Sequence, residues 1–357
     1  MVKKNSKVFI DMTDFLLKRN VPLSSLTTFR VGGVVKYLAQ VKNHKGLVAA
    51  LKFAKKSRLP TFVLGGGSDI LISDKKFSGL VIKYLGKNVR LKELNGKVLV
   101  TVEAGMVWDD LVKVVVQQNL QGIECMSGIP GTVGASPIQN IGAYGQELKD
   151  VFVKLRAYDI KKEKFVILAN EECEFAYRES AFKKPENKGR YLITDITIKL
   201  SKGKPPVLTY ESLTSYLKEN KIIKPTLSQV RDAVLNLRGK KLDDPKIIGN
   251  AGSFFKNPVV DNKTLKRLIN KYPDIPFHLT DQESVKLFAG WLIEKTGWKG
   301  KKYKNTQVSS KNALVITNPE GKATAKEIKE LADKISDEVY RKFRVRLFPE
   351  VQYIGFE

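Results

Sequence analysis

The sequence predicts an α+β protein built from three lobes. Three observations carry this: strand and helix patterns alternate from about residue 27 to 120, residues 151–200 are β-rich, and the final third is mixed again. In order, the first ~25 residues read as a short helical extension. VKYLAQV (35–41) is a strand, and HKGLVAALKFAKKS (44–57) places Leu47, Ala50, Leu51 and Ala54 at helical spacing. TFVLGGG (61–67) is a strand running into a glycine turn, and GLVIKYL (79–85) and KVLVTVEAG (97–105) are further strands. WDDLVKVVVQQN (108–119) is a helix with Asp109 and Asp110 in its first turn, where the dipole favours acids. VFVKLRAYDI, KFVILA and RYLITDITIKL supply the β-rich block. Residues 205–226 read as an irregular connection with one short helix, and 227–242 as a helix. SVKLFAGWLIEKTG (284–297) reads as an amphipathic helix stopped by Gly297, and NALVITN as a strand. Residues 324–343 form a long helix opened by the capping box Thr324-x-x-Glu327, with Ile328, Leu331, Ile335 and Val339 on one face. RLFPEVQYIGF is a terminal strand.

The 357 residues are 42% hydrophobic and 28% charged, a globular balance that excludes disordered and fibrous classes. No apolar run approaches the ~20 residues of a membrane span, and the N-terminal stretch lacks a signal-peptide core. Cys125 and Cys173 give neither metal spacing nor a disulfide framework, which fits a cytoplasmic location. With only His44 and His278, a histidine-based zinc cluster and a Ser-His-Asp triad are poorly supplied, and no metal site is expected. The formal charge is +26, and only 13 of the 63 basic residues are arginine. The lysines are scattered and no recognition module organises them, so nucleic acid is not an expected partner. The field still attracts anionic ligands.

Five constellations bear on chemistry. Gly65, Gly66, Gly67 and Ser68 follow a strand and suit either a plain turn or a phosphate cradle; the spacing is neither a dinucleotide fingerprint nor a P-loop. GIPGTVGASPIQNIGAYG (128–145) is too polar for a core and too apolar for a linker; with the first loop it reads as a cofactor cradle. Tyr177-Arg178-Glu179-Ser180 contains an arginine that suits a surface ion pair or a catalytic role. GNAGSFFKNP (249–258) sets Ser253 between small and aromatic residues, as a turn-capping hydroxyl or a proton donor. Phe348-Pro349-Glu350-Val351 opens the terminal strand with an acid, either exposed or buried with a perturbed pKa.

GGGSDIL, GIPGTVGASPIQNIGAYG, YRESAFK, GNAGSFFKNP, AGWLIEKTG and PEVQYIG occur in this order. Together they resemble the UDP-N-acetylenolpyruvoylglucosamine reductases, from about Leu26 to the C-terminus. PVLTYESL, with Tyr210, resembles the form of that family carrying a tyrosine loop.

The resemblance implies FAD-binding lobes of the vanillyl-alcohol-oxidase (PCMH) type plus a separate α+β substrate domain. The implied boundaries are 1–66 with 344–357 for the first FAD lobe, 67–242 for the second with the tyrosine loop, and 243–343 for the substrate domain. It implies that FAD is held by Gly65, Gly66, Gly67, Ser68, Asp69, Ile129, Pro130, Gly131, Gly134, Ala135, Ser136, Gln139, Ile141, Gly142 and Tyr144. NADPH is the implied co-substrate, and the implied reaction reduces UDP-N-acetylglucosamine enolpyruvate to UDP-N-acetylmuramate for peptidoglycan. Arg178 falls at the family's catalytic arginine, Ser253 at its proton donor and Glu350 at its C-terminal glutamate. Tyr210, Lys241 and Asn257 fall at substrate contacts; Lys299 adds charge nearby, and Asn312 stands where the tyrosine-loop form often has glutamine. Phe348 replaces an acid usual in the family, and residues 301–315 are more basic than its typical segment. A monomer is implied. The alternative reading is a non-catalytic nucleotide-sugar or RNA-binding protein on the same fold.

Overall fold

The structure, a computed structural model, describes residues 9–12, 14–280 and 283–356. It divides into two compact units. The first takes residues up to Val21, Val35–Gly66 and Lys76–Arg238; the second takes Pro22–Val34, Gly67–Lys75 and the residues from Gly239 onward.

In the first unit, the strand Val34–Val41 pairs in parallel with Phe77–Tyr84, which pairs in parallel with Thr61–Val63. The helix His44–Lys56 links the first of these strands to Thr61–Val63. Its N-cap Asn43 accepts the Gly46 amide at 2.9 Å, satisfying a helix-end donor. Leu47, Ala50 and Ala54 are its buried stripe and pack with Ala39, Leu80 and Ile82. The expected N-terminal helix is corrected where residues are described: Phe9–Met12 and Phe15–Pro22 form an antiparallel pair that extends this sheet. Phe15 and Leu17 are buried with one residue between them, the period of a strand and not of a helix. Residues 1–8 and 13 of that expectation lie outside the described ones.

A second, antiparallel sheet of the same unit runs in the order Lys164–Ala169, Phe152–Asp159, Tyr191–Lys202, Lys97–Glu103, Val89–Leu94, with Leu120–Gln121 also on Tyr191–Lys202. One face is apolar: Val98, Val100, Val102, Leu155, Ile196 and Ile198 are buried against the helix Trp108–Gln117. Each such side chain contributes about 1.5–3 kcal/mol by leaving water. The other face carries threonines and charges. The helices Glu211–Glu219 and Leu227–Lys241 build a smaller core with Cys125.

The second unit is assembled from distant segments. Ile70–Ile72 pairs in parallel with Gln352–Ile354. A four-stranded sheet runs Gly249–Ser253, Val315–Asn318, Thr306–Val308, Lys302–Tyr303, and a three-stranded one runs Val259–Asp261, Ser284–Leu287, Phe277–Leu279. The helix Ala325–Phe343 opens with the Thr324/Glu327 capping box, and the Asp74 carboxylate also accepts the Ala325 and Lys326 amides at 3.0 and 3.1 Å. Its Ile328, Leu331, Ile335 and Val339 enter the unit's core.

Two elements of this unit correct the sequence expectation. Residues 284–297 are not one helix: Ser284–Leu287 is a strand, and the helix is Ala289–Lys295. Buried Val285 and Leu287 alternate with half-buried neighbours, the period of a strand. Gly297 does end the helix at φ +79°. The terminal strand is confined to Gln352–Ile354, although Pro349 forms an isolated bridge with Phe255. No helix among the described residues is long and apolar enough to cross a membrane.

Candidate functional site

In the first unit the two glycine-rich segments touch. A Cβ on Gly66 would lie 2.6 Å from the Gly131 Cα, and one on Gly65 would lie 2.9 Å from Thr132 Oγ1 and 3.1 Å from the Ala135 Cβ. Only hydrogen at those positions lets the loops approach, which is the physical content of the glycine pattern. Gly134 likewise lies against Ala104, where a Cβ would stand 2.5 Å from the alanine methyl. No backbone carbonyl among the described residues accepts from the Gly65 or Gly66 amide.

Val133–Gln139 is a run of 3-10 helix, with Ser136 Oγ donating to the Val133 carbonyl at 2.6 Å. Asn140 ends it in the left-handed conformation and is completely buried. Its amide donates to Glu147 and to the Ala176 carbonyl, and its oxygen accepts the Lys149 amide at 2.9 Å. The Ile141 amide returns to the Ser136 carbonyl, and Gly142–Ala143 pairs with Gln146–Glu147 across a turn at Tyr144 and Gly145. Ile129 packs against the unit's larger core.

Arg178 sits at the tip of a tight turn closed by reciprocal Ala176–Glu179 backbone hydrogen bonds, at φ +55°. That region is costly for a side chain with a Cβ and persists only where surrounding contacts hold it. Here the guanidinium donates to the Gly142 carbonyl at 2.8 Å and lies over the Tyr177 ring. Ser180 fastens the turn's exit by donating to the Ile138 carbonyl at 2.6 Å. The arginine and the glycine segment are therefore one construction.

Tyr210 stands at the N-cap of Glu211–Glu219, partly exposed, with its ring edge-on to Tyr144 at 5.5 Å. Burial raises the Tyr144 phenol above its ordinary pKa, with Arg238 opposing. Arg238 was not singled out from the sequence, where it is one cation in an Arg-Gly-Lys-Lys run. Partial burial lowers its guanidinium pKa, Tyr144 and Asp109 oppose that, and Arg178 adds to it. Two arginines thus share one electrostatic neighbourhood beside the glycine segment. Asp109 was read only as a helix-dipole acid, but it accepts a bidentate pair from Arg231 at 2.6 and 2.7 Å and the Gly128 amide at 2.6 Å. It ties the helix Leu227–Lys241 to the start of the glycine segment.

In the second unit, Ser253 ends the strand Gly249–Ser253 and pairs with Val315. It is half-buried, and its hydroxyl makes no hydrogen bond among the described residues. The turn before it is held by Asn250 instead. That side chain, 3% exposed, donates to the Asp243 and Ile248 carbonyls at 3.1 and 2.8 Å and accepts the Gly252 amide at 2.9 Å. Glu350 is half-buried, and its amide donates to the Phe254 carbonyl at 2.8 Å, so the serine and the acid sit on adjoining backbone segments. Asn257 Oδ1 accepts the Ala289 amide at 3.0 Å. Asn312 Oδ1 accepts the Leu314 amide at 3.0 Å within a turn. Lys299 pairs with Glu294 at 3.1 Å on the surface, and Lys241 is exposed at a helix end. Gly67 packs on Leu26 and Thr27, where a Cβ would lie 2.2 Å from the Leu26 carbonyl oxygen. The Asp69 carbonyl accepts the Gln352 amide, next to Ser68 in the same loop.

The first unit's residues fit a dinucleotide flavin. The paired glycine loops leave backbone donors for a diphosphate, and Gln139 Oε1 is buried without a partner. A buried acceptor left unsatisfied is costly, and an N–H donor such as a flavin ring edge relieves it.

Comparisons with known proteins agree. Residues 242–354 match the C-terminal domain of UDP-N-acetylenolpyruvoylglucosamine reductase, and residues 35–168 match an FAD binding domain. The chain is 38% identical over 340 residues to a UDP-N-acetylenolpyruvoylglucosamine reductase of Neisseria meningitidis serogroup A, covering 95% of this chain and 97% of that one. It is 40% identical over 339 residues to one of Amoebophilus asiaticus, covering 95% and 99%. A solved structure of the Thermus caldophilus enzyme shares the fold at a TM-score of 0.65 and 24% identity, over 94% and 98% of the two chains. The α+β class and the FAD-binding domain expected from the sequence are borne out. With an FAD-binding domain ahead of the reductase's own C-terminal domain, and relatives matched nearly end to end, this chain belongs to the UDP-N-acetylenolpyruvoylglucosamine reductase family of FAD-dependent oxidoreductases, which use FAD and NADPH.

Proposed function

We propose that the protein reduces UDP-N-acetylglucosamine enolpyruvate to UDP-N-acetylmuramate with NADPH, in the cytoplasm, as a monomer, for peptidoglycan precursor synthesis. The observation that supports this reading is the Glu350–Phe254 backbone hydrogen bond, one residue after Ser253, in a chain that also builds the Gly66–Gly131 cradle. The lobes at 1–66 with 344–357 and at 67–242 would hold the cofactor, and 243–343 the substrate.

When bound, FAD supplies the redox chemistry, carrying a hydride equivalent from NADPH to the terminal vinyl carbon. The glycine loops, with Ser68, Asp69, Pro130, Ser136 and Gln139, would hold it. Arg178 pairs with the substrate carboxylate, into which negative charge spreads as the vinyl carbon is reduced. Its fixed turn is suited to this, because a preorganised guanidinium needs no reorganisation as charge develops. Arg238 adds positive potential in the same neighbourhood. Ser253 gives its hydroxyl proton to the adjacent carbon, a task that suits a hydroxyl not committed to another hydrogen bond. Glu350, kept protonated, donates a hydrogen bond to the developing charge. Tyr210, Lys241, Asn257, Lys299 and Asn312 bind the nucleotide sugar. Lys299 must leave Glu294 to do so, and that pair is weak enough to exchange.

Anaerobic stopped-flow spectroscopy of the FAD-loaded protein in the visible flavin band tests the reading. NADPH should bleach the band, and the enolpyruvyl nucleotide sugar should then restore it. Bleaching without recovery refutes the substrate assignment. A protein that takes up no FAD refutes the enzyme reading and leaves the binding-protein alternative.

A further inference from the structure

The solvent-facing side of the antiparallel sheet in the first unit carries a feature that the flavin chemistry does not use. Lys154, Thr197, Thr101 and Arg90 lie directly opposite one another on four successive strands, forming a single row across the sheet. With strands about 4.8 Å apart, the two cationic Cα atoms stand about 14 Å from each other. All four residues line one cavity of about 170 Å³, closed on one side by the next row's Arg156 and Asp195.

The charges in this row are unspent. Some surface lysines elsewhere on the unit have acidic partners, as in Lys55–Glu163, Lys184–Glu174 and Lys202–Glu93. The Arg90 and Lys154 side chains have no hydrogen bond or ion pair among the described residues. The cavity's carboxylate, Asp195, accepts from Thr194 Oγ1 at 3.1 Å, with Arg156 Nε at 4.0 Å. The two central hydroxyls bond each other at 3.0 Å. In such a pair one O–H is spent between the threonines and the other remains to donate outward.

We propose that this row is a binding site for a phosphate group, separate from the flavin and nucleotide-sugar machinery. A tetrahedral phosphate dianion presents enough terminal oxygens to accept at once from a guanidinium, an ammonium and a hydroxyl, whereas a carboxylate presents two. The cavity is below the roughly 300 Å³ of sites that enclose larger ligands. No aromatic ring lines it, so it offers no stacking platform for nucleobases. The row shares no residue with the glycine loops or the Arg178 turn.

Isothermal titration calorimetry of the FAD-loaded protein at low ionic strength, with inorganic phosphate and with pyrophosphate as separate titrants, tests the site. Arg90→Gln and Lys154→Gln should each weaken binding about tenfold or more, the loss of one charge-assisted hydrogen bond. Thr101→Val, which keeps every charge, should weaken it as well. Flavin content and turnover without added phosphate should stay at the wild-type level in all three. Preference for phosphate marks a site for one phosphate group, and preference for pyrophosphate marks one for a diphosphate. The proposal is overturned if wild type binds neither anion, if Arg90→Gln and Lys154→Gln leave binding intact, or if Lys113→Gln, on the helix Trp108–Gln117 that covers the sheet's opposite face, weakens it equally.

Discussion

The Asn250 side-chain oxygen accepts the Gly252 amide at 2.9 Å, so the peptide entering Ser253 is held by a residue three positions upstream. The same carboxamide donates to two carbonyls, and Gly252 can take the required φ of +70° because it lacks a Cβ. Asn250→Ala leaves a buried amide and two carbonyls unsatisfied and should cost about 1–3 kcal/mol of stability. Thermal melting measures that cost. Stopped-flow should show normal bleaching by NADPH and slowed recovery with the enolpyruvyl sugar. Equal slowing of both steps contradicts a positioning role.

Ser253→Ala should preserve flavin reduction and slow substrate reduction by about a hundredfold or more, the scale of a lost general acid. The two rates are read separately from the same absorbance trace. Loss of NADPH-driven bleaching would remove Ser253 from its assigned role.

Gly66→Ala should empty the cofactor site, because its methyl would stand 2.6 Å from the Gly131 Cα. The visible absorbance per unit of protein should fall sharply. Gly239→Ala is the control: nothing lies within 4 Å of its Cβ position, and in a helix alanine is favoured by up to about 1 kcal/mol. That variant should keep its flavin and melt no lower than wild type.

Asp109 is pushed up by burial, but Arg231 and the Gly128 amide outweigh this and hold its carboxyl below the ordinary value of 3.8. The folded state therefore binds this proton more weakly than the unfolded chain does. The stabilisation is complete above the unfolded pKa and is lost as pH falls through the lower, folded pKa. Asp109→Asn should cost about 1.5–3 kcal/mol near pH 7, the scale of a charge-assisted pair. The difference in melting temperature from wild type should shrink as pH falls below 3.8. A gap that stays constant with pH contradicts the ion-pair assignment.

Cys125 and Cys173 are completely buried, and burial pushes both thiols up to about 12. Thiolate is the reacting form, so a chromogenic disulfide reagent should label neither residue in the native protein near pH 7 and both after unfolding. Rapid native labelling of either would show that its burial fails in solution.

What was legible in the sequence was local. The helices His44–Lys56, Trp108–Gln117 and Ala325–Phe343 follow from apolar spacing and from caps within a few residues. The glycine segments read as a cofactor cradle, but their mutual approach at Gly66–Gly131 was not read from the sequence. What was hidden depends on partners far along the chain. Phe9–Pro22 looks helical by composition and is a strand pair because a sheet edge is there to receive it. Ser284–Leu287 is drawn into strand by Val259–Asp261 and Phe277–Leu279 on its two sides. Asn250 was invisible as a positioning residue because its partners are backbone groups, which every sequence supplies. Arg238 stood out only once Tyr144 and Arg178 were placed near it.

The strand Ile70–Ile72 finds its parallel partner at Gln352–Ile354, and Asp74 caps a helix 251 positions away. Such contacts close late in synthesis, since the ribosome delivers the chain from its N-terminus. Ile70, Leu71 and Ile72 must therefore wait, as an unpaired apolar strand, while nearly the whole of the first unit is made. An open strand edge of this kind invites wrong pairing between chains. The protein's yield in a cell is thus tied to how quickly the strand Gln352–Ile354 emerges, and slow codons between the two strands should favour aggregates over folded enzyme.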